Sequence, residues 1–397
     1  MNLQKITKLS FLLTIFFLPA YLIKFSFFSI PTNLLEIFAL FSLFLFILNK
    51  KTATLGYWKE NLTAFKLPFI FLFSGLLLSF LTNPWSLHGL GIIKSWFVVP
   101  FFFSLSLATM LNDKKERVLV IKTIYFSIAA VSFSALGYKL AGIVTYDQRL
   151  TAFYLSPNHL AMFLAPGFFL TYYLFFQEKT QAFRAFLVFS LLAITMAFYF
   201  TFSYSAWLAV ALSFVALSAL KTKRQKVIKF LFASLVILGI FLALQWENPK
   251  LNGFLDQRSS FSSRVMIWNS SLKIIRDNPL FGIGPGNFQA SYLEYQKYFP
   301  PYLEWAVPQP HNLYLAFYLQ TGLLGLIGFV LLCYRWFVIC LRQKNTAFFA
   351  VSLGILLYFI LHGLVDTPYW KNDLAFIFWI FVFLAVFVPE TLRDDGR

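Results

Sequence analysis

Charge is what this sequence has least of. Only 12% of its 397 residues are Asp, Glu, Lys or Arg, where a soluble domain carries roughly 25%. So apolar a chain has no water-facing surface to balance its core. That excludes the two or three soluble domains its length would otherwise suggest. Acidic groups are scarcer still: 16 against 33 Lys and Arg, a net charge of +17. The basic residues fall in short clusters between apolar segments rather than on one face, which argues against nucleic acid as a partner. Cysteine is nearly absent. Cys333 and Cys340 share one apolar segment and form neither a disulfide framework nor a metal-binding spacing. No small-x-small cleavage site follows the first apolar run, Phe16-Phe17-Leu18-Pro19-Ala20-Tyr21, so we read it as an uncleaved span. There is no internal repeat and no low-complexity linker. The lack of repeated halves weakens a transporter reading.

What the chain has instead is apolar runs long enough to cross a bilayer, about 20 residues each. Twelve candidates stand at residues 9–28, 33–48, 65–82, 92–111, 118–143, 158–176, 183–201, 204–220, 227–245, 312–340, 347–364 and 372–389. The second is short, and Pro166-Gly167 interrupts the sixth. Alternate connections carry the positive charge, including Lys5/Lys8, Lys50/Lys51/Lys59, Lys114/Lys115/Arg117, Lys179/Arg184, Lys221/Lys223/Arg224/Lys226 and Arg342/Lys344. By the positive-inside rule both termini are cytoplasmic. The expected fold is all-α: a multi-pass bundle of about twelve spans in the cytoplasmic membrane, with one large extracytoplasmic loop containing short helices. We divide it into residues 1–245 (about nine spans), the loop 246–310, and residues 311–397 (about three spans and a cytoplasmic tail).

The loop holds the most informative residues. A helical pattern runs from Arg264 to Asp277, with Val265, Trp268, Leu272 and Ile275 as its apolar stripe. Ser262 or Ser263 is a suitable N-cap, and Asn278-Pro279 stops the helix. Such a helix lies flat at the membrane surface or packs on the bundle. Arg264 falls in the first turn, where the helix dipole disfavours a cation. Two readings follow: an exposed arginine paired with a nearby carboxylate such as Asp256, or an anion site in which helix N-terminus and guanidinium grip phosphate together. Arg258 and Arg276 are weaker candidates for the same role. Gly282-x-Gly284-Pro285-Gly286 has no preceding strand and no following Lys-Ser/Thr, and Pro285 removes a donor. It reads as a tight turn between helices.

The loop closes on Pro308-Gln309-Pro310-His311-Asn312. The prolines set up a helix start and place His311 in the first turn of the tenth span. There the dipole favours the neutral imidazole, the form a general base needs. A structural histidine at the interface is the alternative. At the same face, Arg149 is either a second anion contact or a partner for Asp147. Pro157 and Asn158 start the sixth span, and His159 reads as buried and structural. Lys94, His362 and Asp366 lie near the outward ends, close enough to the rim to be discounted. Tyr292, Tyr295, Tyr298, Phe299, Tyr302 and Trp305 suit either sugar stacking or the lipid interface. No Asp/Glu pair in the loop suggests a metal.

The ordered set Arg149…Ser156-Pro157-Asn158-His159-Leu160-Ala161, Arg264-x-x-x-Trp268, Asp277-Asn278-Pro279-Leu280-Phe281-Gly282-x-Gly284-Pro285-Gly286-Asn287-Phe288, His311-Asn312-Leu313-Tyr314-Leu315 and Gly322-Leu323-Leu324-Gly325 resembles the O-antigen ligase and polymerase superfamily of membrane proteins. By motif the resemblance covers residues 145–335. It implies transfer of a glycan from an undecaprenyl-diphosphate carrier to an acceptor hydroxyl on a glycolipid, glycan or protein, at the outer membrane face and without a cofactor. It casts His311 as the group assisting the acceptor hydroxyl. It casts Arg264 as a contact for the lipid diphosphate. Arg149 and Arg258 are our further candidates for that contact, and Trp268, Asn312 and Asn158 our candidates for support. Ligase, polymerase and protein-glycosylating readings remain open, as does a flippase from another class. One departure stands out. Many relatives have Ser-Arg-Gly where this chain reads Phe202-Ser203-Tyr204-Ser205-Ala206-Trp207. Arg149 and Lys94 are the basic residues available to replace that arginine.

Overall fold

The computed structural model describes residues 2–27, 30–49, 58, 62–111, 113–221, 224–246, 259–300, 304–344 and 346–386. They form an all-α bundle with one two-stranded hairpin, and each of the twelve apolar segments is helical over most of its length. The helices are α1 (Leu3–Phe16), α2 (Leu34–Leu48), α3 (Lys66–Thr82), α4 (Leu87–Met110), α5 (Lys114–Leu140), α6 (Pro157–Gln177), α7 (Gln181–Phe200), α8 (Tyr204–Lys221), α9 (Arg224–Ala243), α10 (Ser260–Asp277), α11 (Phe288–Tyr295), α12 (Leu313–Arg342), α13 (Ala347–His362) and α14 (Asn372–Val386). Five of these, α4, α5, α6, α7 and α12, are each long and apolar enough to cross a membrane. Large apolar side chains on the outer helix faces, such as Ile47, Phe176, Phe189 and Phe232, are exposed, as a bundle surrounded by lipid requires. The protein is a multi-pass helical membrane protein.

Local chemistry explains where the helices depart from the apolar pattern. The first segment is not one helix to residue 28. It ends at Phe16, a 3₁₀ turn follows across Pro19, and strands β1 (Lys24–Phe27) and β2 (Ile30–Asn33) then pair antiparallel, Lys24 opposite Asn33. Pro19 lacks the N–H that would continue the helix. In α4 the turn Ile93–Val98 widens to a π-helix just before Pro100, which accommodates the proline ring without breaking the helix. Pro166 and Gly167 do not end α6, because Ala165 keeps helical angles and its N–H still reaches Ala161 O at 3.0 Å.

In the bundle α12 packs along α3, α14 along α4, α7 along α5, and α8 along α13, with α9 against α8. α12 is interrupted at Gly322, whose φ of 69° is left-handed. The glycine turn of the loop fills the break. Ile283 N–H donates to Leu319 O at 2.7 Å and Leu323 N–H to Leu280 O at 3.0 Å. Gly282, φ 64°, lies so close that a Cβ would stand 2.4 Å from Leu319 O. The turn therefore joins α10 to α11, as the sequence suggests, and also repairs a helix. Gly282→Ala is expected to cost more than about 2 kcal/mol, left-handed strain plus the clash. Thermal unfolding in detergent against Gly137→Ala, whose added methyl meets nothing within 4 Å, measures it; equal melting temperatures would contradict this account.

Candidate active site around Asp366

Five segments distant in sequence meet at one end of the bundle: residues 149–158 at the entry to α6, the turn between α7 and α8, the start of α10, the entry to α12, and the α13–α14 loop. Asp366, in that last loop, meets Asn158, Arg264 and His311 directly and reaches the α7–α8 turn through Asn158 and Arg149. Its Oδ1 lies 3.2 Å from His311 Nδ1 and accepts from Thr367 N–H at 2.8 Å. Its Oδ2 accepts from Asn158 Nδ2 at 3.1 Å and lies 3.6 Å from an Arg264 terminal nitrogen. Asn158 Oδ1 in turn accepts from Arg149 at 2.6 Å. Arg149, Asn158, Arg264 and His311 thus form one connected network around a carboxylate that spacing alone did not single out.

Each side chain is held by backbone. Ser259 caps α10, accepting from Ser262 N–H at 3.1 Å. The helix starts earlier than its apolar pattern suggests, and Arg264 lies one turn in. Its Nε donates to Val365 O at 2.8 Å and another nitrogen to Ser260 O at 3.2 Å. The carboxylate it meets is Asp366. Asp256, the partner suggested by proximity in sequence, and Arg258, the third expected diphosphate contact, both lie outside the described residues. The stripe through Val265 and Leu272 does not face the core; both are exposed. The buried face is Met266, Ile267 and Ile274 with Ser263, Ser270 and Ser271. Small serines let α10 approach the bundle closely, and hydropathy cannot tell the two faces apart where one meets lipid. Trp268 spans the gap to His311, donating from Nε1 to its carbonyl at 3.3 Å.

His311 is not in the first turn of α12. Asn312 is the N-cap, accepting from Tyr314 and Leu315 N–H at 3.0 Å each and donating to Leu364 O at 2.8 Å. His311 precedes the cap with a left-handed φ of 48°. The side chain of Asn312 takes the end of the helix, so the dipole acts on the cap and the neighbour of His311 is a carboxylate. Beside a carboxylate, which only accepts, Nδ1 is the donor, and Nε2 is the ring nitrogen not engaged by Asp366. The His311 side chain is 32% exposed and that of Asp366 3%, so a substrate can reach the imidazole but not the carboxylate. Burial alone would raise the Asp366 pKa. His311 and Arg264 outweigh it and hold the group well below the usual carboxylate range.

Arg149 is bound at the turn between α7 and α8, beside the stretch Phe202–Trp207. Its Nε donates to Thr201 O at 2.8 Å, on the turn into α8, and Asp147 stands 3.9 Å away. The Asp147 contact is loose, and the short bonds to Thr201 and Asn158 tie Arg149 into the network. Burial lowers its pKa, opposed chiefly by Asp147, yet an arginine stays charged at neutral pH. Lys94 does not reach the site. It is bound to Glu36 at 2.7 Å and to Pro31 O at 2.6 Å. His159 is buried, with Nε2 3.1 Å from Asp373 Oδ1 and Tyr21 OH beside the ring. Of the loop aromatics, Tyr292 is buried with its OH donating to Glu304 O, Tyr298 and Trp305 are exposed, and Tyr302 lies outside the described residues.

Among the described residues, the non-glycine residues with left-handed φ are Gln148, Ala152, Phe202 and His311. All four flank this network: two beside Arg149, one next to Thr201, and His311 itself. Such strain persists where surrounding structure over-determines it, and it clusters at functional sites.

Comparison with known proteins gives a partial family match. Residues 187–330 match the family model described as O-Antigen ligase. A protein of Rickettsia conorii (strain ATCC VR-613 / Malish 7), provisionally named a polysaccharide ligase, is 25% identical over 165 residues. That stretch spans 39% of this chain and 39% of the relative's length. The family match includes Arg264, Trp268, the glycine turn, His311 and Asn312. It leaves out Arg149, Asn158 and Asp366, whose place in the site rests on geometry. The chain is a multi-pass membrane protein related to the O-antigen ligase family.

Proposed function

We propose that this protein is a membrane glycosyltransferase of O-antigen ligase type. It moves a glycan from an undecaprenyl-diphosphate carrier to an acceptor hydroxyl at the outer face of the cytoplasmic membrane, with both of its own termini in the cytoplasm. The observation that carries this reading is the bridge through Asp366, which links a histidine with a free Nε2 to an arginine suited to phosphate. The division into residues 1–245, 246–310 and 311–397 belongs to the same reading.

The chemistry follows from those groups. Nε2 of His311 accepts the proton of the acceptor hydroxyl as its oxygen attacks the anomeric carbon. The bond from that carbon to the diphosphate oxygen breaks, and the lipid diphosphate leaves with the electron pair. Asp366 stabilises the imidazolium formed and keeps its ring in place. Diphosphate is already a good leaving group, so it needs charge stabilisation more than protonation. Arg264 and Arg149 supply this as fixed, partly desolvated cations without a metal ion.

The polar groups gather at one end of the bundle, which fits catalysis better than a path across it. The test is the purified chain in proteoliposomes containing a glycan-loaded polyprenyl diphosphate and a hydroxyl-bearing glycolipid. A covalent glycan–acceptor product, with release of unloaded carrier, is expected. Movement of the donor between leaflets with no product would instead identify a flippase.

A further inference from the structure

The loop from Asp366 to the start of α14 is pinned at almost every residue. Asp366, Thr367, Tyr369, Trp370 and Asp373 are buried. Tyr369 OH donates to Trp96 O, Asn372 Oδ1 accepts from Trp96 Nε1 at 3.2 Å, and Asp373 meets His159 at 3.1 Å. Lys371 is the exception. It is half-buried, and its ammonium group makes no hydrogen bond or ion pair with any described residue. It immediately precedes α14, where the helix dipole disfavours a cation. Burial lowers its pKa; Asp366 and Asp373 oppose this, and the like charge of Lys24 adds to it. A cation so placed costs free energy unless an anion meets it.

Lys24 is the second such cation. It stands exposed on β1, and its ammonium group is likewise without a partner among the described residues. Tyr21, shortly before Lys24, and Asp373, shortly after Lys371, meet on the same His159 ring, at 3.2 and 3.1 Å. The two lysines therefore leave one junction. Other lysines near this end are engaged, Lys94 by Glu36 and Lys139 by the face of Phe200.

We infer that Lys371 and Lys24 form a second anion site, which binds an acidic group, phosphate or carboxylate, on the acceptor. The inference rests on the transferase reading for the identity of the ligand and on the structure for the place. Asn158 and His159 are neighbours in the first turn of α6, so their side chains leave the helix about 100° apart. Asn158 turns to Asp366 and Arg149, and His159 to Asp373 and the junction of the lysines. The start of α6 thus divides the cations at this end of the bundle, arginines to one side and lysines to the other. In the proposed reaction the arginines are committed to the diphosphate of the donor. The lysine pair is left for the second substrate. Lysine suits that part, because a point charge on a flexible stem takes phosphate or carboxylate without the fixed geometry of a guanidinium fork.

The experiment uses the full chain in detergent–lipid micelles, without donor, and glycolipids that share a lipid and a disaccharide backbone. They differ in one substituent: a phosphate monoester, a carboxylate or neither. One or both acidic forms are expected to bind about tenfold more tightly than the neutral one. Lys371→Gln should remove most of that preference. Lys24→Gln, at an exposed position, should reduce it about two- to fivefold. Binding of the neutral form should not change in either variant, and Lys371→Arg should keep the preference. Phosphatidylglycerol and a glycan-free polyprenyl diphosphate should fail to compete. Equal binding of all the glycolipids by the unaltered chain would overturn the inference, as would a preference that survives in the Lys24→Gln/Lys371→Gln double variant. Equal competition by either lipid would also overturn it, since the lysines would then hold an ordinary headgroup or the donor. Lys24→Gln and the unaltered chain decide the matter even if Lys371→Gln fails to fold. Binding needs no transfer, so the two readings fail separately. A chain that prefers acidic glycolipids yet moves no glycan keeps the site and loses the transferase; one that transfers to acidic and neutral acceptors with equal KM does the reverse.

Discussion

Replacing His311 with alanine is expected to slow glycan transfer by about 10²–10⁴-fold, the usual worth of a positioned general base, while donor binding persists. The expectation follows from the proposed division of labour in the network: Asp366 engages His311 through Nδ1 and leaves Nε2 for the acceptor, and the proposed diphosphate contacts are Arg264 and Arg149. Asp366→Asn should give a smaller loss, about 10–100-fold, as for other groups that orient a reactive histidine. An amide can accept from Nδ1 or donate to it, so it does not impose a tautomer, and it lacks the charge that stabilises the imidazolium. Single-turnover transfer in proteoliposomes, with donor retention measured in parallel, separates the two steps. Parent-like rates for His311→Ala would remove the proposed base. Equal loss of binding and transfer in that variant would turn His311 into a structural residue.

The second large effect concerns Arg264 and Arg149. Each should contribute about 1.5–3 kcal/mol through charge-assisted bonds, so alanine at either position is expected to raise the donor KM by about 10–100-fold. Arg264→Lys should recover only part of this, because lysine keeps the charge but loses the planar fork. Arg264→Ala also frees Val365 O and leaves Asp366 with one cation fewer, so the lysine variant is the cleaner probe. If both arginines grip the same diphosphate, the double alanine variant will fall short of the product of the single effects. Strict multiplicativity would place them on separate ligands. An unchanged KM in both single variants would remove the donor site from this end of the bundle.

Much of this architecture could be read from residue order. Apolar runs locate the helices because a bilayer demands them, and prolines and caps mark their ends. Arg264, His311, Arg149 and Asn158 are each legible as local oddities: a cation near a helix start, a histidine before a cap, polar groups at a helix entry. Asp366 is not. Its partners are 55 residues away at His311, 102 at Arg264 and 208 at Asn158. Nothing beside it in the chain hints at them, and its place near a helix end makes it look like an ordinary rim residue. The general cost of an ionisable group close to the membrane was the available signal. The misplaced α10 stripe has a related cause. The rule that apolar faces turn inward presumes water outside, whereas Val265 and Leu272 sit on a helix whose serine face does the packing. The anchoring of Arg149 on Thr201 O is a product of chain topology, since the two are 52 residues apart.

The glycine turn has a consequence for how the molecule can be taken apart. Leu280 O and Ile283 N–H complete the hydrogen bonding that α12 loses at Gly322. In a hydrocarbon environment an unmet peptide group costs several kcal/mol. Neither piece therefore has a finished backbone by itself. The loop excised as a soluble fragment would keep its residues but lose the edge it is built against. A bundle with the loop replaced by a short linker would carry an open break in one of its longest helices. Fragment complementation should work only where the cut leaves residues 278–323 on one piece, and that stretch is the seam along which the loop and the bundle become a single folding unit.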